Sequence, residues 1–110
     1  MKVLLLMYQD EKAMQRLPRE EHGKLHGAFV AYVQALKDGG ALLGNHGLRP
    51  TGEAKTVRKQ RVLDGPFAET KEQLAGYFLL EVPDMEAALS WAKRHPTAPY
   101  GSVEVRPVWT

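Results

Sequence analysis

The chain has 110 residues, enough for one domain, taken as 1–110, with a modest core. Fifteen Lys and Arg against thirteen Asp and Glu leave a formal net charge of +2, and Glu53, Asp64 and Glu69 interrupt the basic residues between Arg49 and Lys71, so no single-signed block marks a nucleic-acid-binding face. The absence of cysteine excludes disulfides and thiolate chemistry and fits a reducing compartment.

The first stretch, Lys2 to Tyr8, carries Val3, Leu4, Leu5, Leu6 and Met7 without a polar break. Strict alternation marks a half-exposed strand, whereas an unbroken run marks one covered on both faces. The run is too short for a signal peptide or a membrane span, so a soluble, cytoplasmic protein is expected. A loop holding Asp10, Glu11 and Lys12 follows. Pro18 then suits the first turn of a helix, and Glu20 and Glu21 suit its positive end.

This helix is expected from about Pro18 to Lys37, stopping at Gly39-Gly40. At about 100° per residue, Leu25, Phe29, Tyr32, Val33 and Leu36 form one apolar stripe. Gly23 and Gly27 weaken its first turns by about 1 kcal/mol each relative to Ala, so something other than propensity must hold that end.

Ala41 to Leu48 reads as a second strand, loosened by Gly44 and Gly47. Thr56–Arg58 and Arg61–Leu63 read as two short exposed strands around a turn at Lys59-Gln60. Asp64-Gly65-Pro66 is strong turn punctuation. Gly76 to Val82 is a strand buried on both faces. Asp84 caps a second helix with Met85, Ala88, Leu89 and Ala92 inward, which ends before Pro96. The last strand, Ser102 to Trp109, alternates Val103 and Val105 with Glu104 and Arg106, and Pro107 places its end at an edge or bulge.

The order βαββαβ, with a small hairpin insert, implies an α+β, ferredoxin-like sandwich with both helices on one sheet face. Two strands apolar on both sides would leave the other face a large exposed patch. A second copy packing sheet to sheet in a homodimer removes it.

DGPFAETKEQLAGYFLLEVPD (Asp64 to Asp84) and GSVEVRPV (Gly101 to Val108), supported by MKVLLLMYQDE at the N-terminus and TVRK from Thr56, resemble the DGPF branch of the YCII-related family. The resemblance implies a dimeric α+β barrel, bacterial origin and a biochemical role largely unassigned. It also implies a link to extracytoplasmic-function sigma factors, beside which relatives are often encoded. Some YCII-like proteins are suspected enzymes because a His and an Asp lie near one cleft. Asp10 matches the acidic residue after the family's first strand. The family's helix histidine falls on Phe29 here, so a His–Asp pair requires His26, one turn earlier, to substitute.

The candidate chemistry therefore centres on Asp10 and His26 as an acid–base pair, the carboxylate holding the imidazole tautomer. The structural alternative is that Asp10 caps a turn while His26 donates to a backbone carbonyl. His22 and His26, spaced i, i+4, lie about 20° and 60° from Phe29 around the helix, on the sheet-facing stripe. They can chelate a metal with Asp10 or His46, but without an HExxH or Cys partner the commoner reading is two boundary histidines, and no metal site is assigned. The cofactor is left unknown. Asp64 closes its own turn, Phe67 packs that turn on the domain, and Glu69, Thr70, Lys71 and Glu72 rim a pocket or simply face solvent. Arg106 either binds a substrate carboxylate or pairs with Glu104.

Two functions follow: a small-ligand protein or cofactor-independent enzyme with a cleft between the first helix and the sheet, or a non-catalytic partner in sigma-factor-linked regulation.

Overall fold

The computed structural model describes residues 1–109. The chain runs β1 (Lys2–Gln9), α1 (Glu11–Gln15), α2 (Arg19–Asp38), β2 (Leu42–Gly47), a 3-10 turn (Thr51–Glu53), β3 (Lys55–Arg58), β4 (Arg61–Asp64), β5 (Gln73–Glu81), α3 (Met85–Lys93) and β6 (Gly101–Pro107). β2, β5, β1 and β6 form one antiparallel sheet in that order, the arrangement of a ferredoxin-like fold, and β3 pairs only with β4.

The two unbroken apolar runs are the two central strands. Val3, Leu5 and Met7 of β1 and Phe78 and Leu80 of β5 point to one face and are buried. Tyr32 and Leu36 of α2 and Ala88 and Ala92 of α3 cover them, making one core. Burying each large apolar side chain contributes about 1.5–3 kcal/mol. The Tyr32 hydroxyl donates to the Trp91 carbonyl at 2.7 Å and ties the two helices together.

Local signals behave as the residues require. The end of α2 closes through Gly40 N–H to Lys37 O at 3.0 Å and Ala41 N–H to Leu36 O at 2.9 Å. Gly40 at φ +67° supplies the left-handed residue that this cap needs. Asp84 caps α3 by accepting from Ala87 N–H at 2.9 Å. Pro107 ends β6, which is an edge strand.

One element was not expected. The segment after Asp10 is a single helical turn rather than a loop, because the Asp10 carboxylate accepts the Ala13 N–H at 3.1 Å and Gln73 Oε1 accepts the Glu11 N–H at 2.9 Å.

The β3–β4 hairpin is an arm of the insert. Val57 lies opposite Val62, and both are about two-thirds exposed. Among the described residues no helix is long and apolar enough to cross a membrane.

Candidate functional site

Strand register brings the site together. A register shift between Met7 and Tyr8 in the β1–β5 pair sets Tyr8 opposite Leu74, and regular pairing with β6 sets it opposite Ser102 on the other side. Alternation then puts Tyr8, Leu74, Ser102 and Glu104 on the face away from the helices. Past the end of that face the insert rises, and between them opens a cleft of about 750 Å³. Leu48, Ala54, Pro66, Phe67 and Leu74 give it apolar walls.

Its polar groups form two clusters. In the first, the Tyr8 hydroxyl donates to Glu104 Oε1 at 3.3 Å, and Arg106 Nε donates to Glu104 Oε2 at 2.9 Å. Glu104 and Arg106 are two apart on β6 and so share a face. Partial burial, and then the Glu104 charge and hydrogen bond, push the Tyr8 phenol above its ordinary value, with Arg106 opposing. Its hydrogen bond to Glu104 raises the Arg106 guanidinium in turn. In the second cluster, Ser102 Oγ donates to Glu72 Oε1 at 2.7 Å. Nearby, Thr51 donates through its N–H and its hydroxyl to the two oxygens of Glu11, each at 2.8 Å.

A smaller cleft of about 210 Å³ lies where the sequence pointed, between α2 and the sheet, with Gln9, Leu25, Phe29, Asn45 and Thr97 among its walls. Behind Phe29, Phe78 and Thr97 sits His95, 1 % exposed. Its ring stands edgewise to Phe29, Tyr32 and Phe78, with centroids 5.3, 4.9 and 5.1 Å away. Burial lowers its pKa to about 4 and keeps it neutral.

The expected site residues are scattered. Asp10 is the cap of α1, and no hydrogen bond or ion pair joins it to His26 among the described residues. The expectation that His22 and His26 face the sheet is corrected: both are exposed. The packed stripe is Leu25, Phe29, Tyr32 and Leu36, and Met14 of α1 joins Leu25 and Phe29 in the wall beneath the first turns. His22 borders a separate cleft of about 200 Å³ with Glu11 and Pro50. His46 lies across from Tyr77, whose hydroxyl is 2.9 Å from His46 Nδ1. Among the described residues no group of three or more His, Cys, Asp or Glu is placed to hold a metal ion.

In the Asp64–Lys71 segment two expectations change. Asp64 ends β4, where its carboxylate pairs across the hairpin with Lys55 instead of closing its own turn. Phe67 lines the large cleft but is 79 % exposed, so it does not pack the turn onto the domain. Gly65, at φ +92°, provides the turn. Glu69 and Lys71 are exposed and outside the cleft wall, whereas Thr70 and Glu72 belong to it. Arg106 is held by Glu104 in the same strand.

Sequence reasoning missed Tyr8, Ser102 and His95 as site residues, whereas Glu72, expected at the rim of a pocket, belongs to the cleft wall. The first two meet only through strand pairing, and the one local signal for the last was a His before Pro96 at a helix end.

A four-stranded antiparallel sheet with helices on one face, and an apolar cleft on the other rimmed by a few polar groups, defines a ferredoxin-like α+β protein with a pocket of small-ligand size. The YCII-related domain matches residues 1–110, and the chain belongs to that family. It is 36% identical over 110 residues to an uncharacterised protein of Rhizobium meliloti (strain 1021), covering 94% of this chain and 89% of the relative. Its fold is similar to that of the 5-chloro-2-hydroxyhydroquinone dehydrochlorinase of Burkholderia phenoliruptrix AC1100, solved in complex with 2,5-dihydroxybenzoquinone. The TM-score is 0.61 at 13% identity, over 100% of this chain and 94% of that one.

Proposed function

We propose that this YCII-family protein binds a small molecule and works as a homodimer, with the ligand in the cleft between the insert and the Tyr8 end of the sheet. The cleft carries the reading. Its volume of about 750 Å³ is that of small-molecule sites, and its apolar walls converge on a few placed polar groups. A protein of the same fold takes a quinone, an analogy of fold that adds modest weight.

The dimer rests on the uncovered face. Leu4, Leu6, Tyr77 and Leu79 are neighbours there by register, with no helix over them. The molecule measures 42 × 41 × 18 Å and has a radius of gyration of 15.1 Å. About 13 Å is expected for a compact chain of this length. A second copy laid on that face gives a thicker, more compact particle and buries the apolar patch.

Native mass spectrometry of gently purified protein tests both parts. A dimer carrying a small-molecule adduct is expected. Leu74→Trp, which fills the cleft, should remove the adduct, and Leu79→Arg should give monomer. A bare monomer would sink the proposal.

A further inference from the structure

The hydrogen-bond directions in the large cleft carry more than its shape does. Donors on its wall already donate within the protein: Tyr8 to Glu104, Ser102 to Glu72, Thr51 to Glu11, and Thr70 to the Glu72 carbonyl. Arg49, the cation at the rim, has a side chain 83% exposed and is clasped to Glu53 through Nε and Nη2.

With the hydroxyl protons committed, the capacity left on the hydroxyls and carboxylates of the wall is for accepting. Glu72 Oε2 accepts no hydrogen bond among the described residues, and both Glu104 oxygens have lone pairs to spare. The charges run the same way. Arg106 balances Glu104 and Glu53 balances Arg49, but Glu72 has no ion-pair partner among the described residues. One carboxylate without an ion-pair partner among the described residues thus stands beside the apolar part of the wall. The exposed ring of Phe67, which also lines the cleft, offers a face on which a cation can rest.

From this we infer that the cleft selects ligands with an apolar body and a hydrogen-bond-donating, cationic head, a protonated amine, and disfavours carboxylates of the same size. Glu72 receives the head with the Phe67 ring face beside it, and Leu48 and Leu74 hold the body. The inference rests on the proposal that this cleft is the ligand site.

The test uses the full chain, labelled with ¹⁵N, titrated with benzylamine, benzyl alcohol and benzoate while amide shifts are followed. Benzylamine is expected to bind about tenfold more tightly than benzoate, a charge-assisted preference, with the alcohol between them. The largest shifts should fall at Tyr8, Leu74 and Ser102. Glu72→Gln should bring the amine down to the alcohol and leave the alcohol unchanged. Benzoate binding as well as benzylamine, or an amine preference that survives Glu72→Gln, overturns the inference and leaves the ligand site standing. If no probe moves the cleft amides at millimolar concentration, both fall.

Discussion

The imidazole Nδ1 of His95 accepts the backbone N–H of Thr97, two residues on, at 3.0 Å. That bond fixes the tautomer, because a neutral ring whose Nδ1 accepts must carry its proton on Nε2. The Nε2–H is buried with no hydrogen-bond partner among the described residues. The rings of Phe29, Tyr32 and Phe78 pack around it in T-shaped arrangements, with centroids 5.3, 4.9 and 5.1 Å away.

A pH dependence follows. The ordinary His value is 6.5 and burial lowers it here to about 4. Between those values the unfolded chain binds a proton that the folded chain does not. Stability from this group is therefore complete above about pH 6.5 and lost as pH falls toward about 4, by about 3 kcal/mol in all. Urea midpoints from pH 7.5 to 4.5 measure it. His95→Asn, which keeps an acceptor for Thr97 but cannot titrate, should be less stable at neutral pH and flatter in acid. Equal slopes for the two proteins would remove His95 as the cause.

How legible all this was depended on the range of the interaction. The end of α2 was readable because Gly39-Gly40 acts on its own neighbours, and the central strands because Val3–Met7 and Tyr77–Val82 are apolar without a break. The turn of α1 was not, since five residues show no helical period and, beside the Asp10 cap, its Glu11 N–H is accepted by Gln73, 62 residues away. Tyr8, Glu72 and the Ser102–Glu104 stretch are remote from one another in sequence and meet only because β6 pairs with β1 and the β1–β5 register shifts at Met7/Tyr8. A helical wheel also overreached at His22 and His26. It gives the direction in which a residue points, but not what lies beneath the first turns of the helix.

Gly101 fixes how closely β6 approaches β1 beside the large cleft. A Cβ there would lie 2.1 Å from the Tyr8 carbonyl oxygen and 3.1 Å from Gln9 Cα. These are backbone atoms of the neighbouring strand, so the strand itself would have to move. Gly101→Ala should cost about 1–3 kcal/mol, the range for overpacking, and disturb the amides of Tyr8 and Ser102. Gly44→Ala is the control in the same sheet, as a Cβ there meets nothing within 4 Å, and it should be neutral or mildly stabilising. Denaturant midpoints for the two variants decide the matter, and similar values would refute the close-approach argument.

The tip of the β3–β4 arm is strained in a way that can be relieved. Lys59 and Gln60 have φ of 50° and 67°, both in the left-handed region, where a side chain costs roughly 1 kcal/mol or more. Two-residue hairpin turns of this shape favour Asn-Gly. Beside them Arg58 lies directly opposite Arg61, a like-charge pair that opposes strand pairing. The sequence therefore holds the arm in shape against local preference at its tip, while the Lys55–Asp64 pair and the Thr56 hydroxyl on the Gly65 carbonyl fasten its base. Replacing Lys59-Gln60 by Asn-Gly should stabilise the hairpin by about 1 kcal/mol, which slows hydrogen exchange of its amides about fivefold. The four-stranded sheet should be unaffected, because β3 and β4 pair with none of its strands. Arg61→Glu should act in the same direction by turning repulsion across the strands into attraction. Unchanged hairpin protection in both variants would mean that neither turn strain nor tip repulsion limits the opening of the arm, and that its base alone governs it.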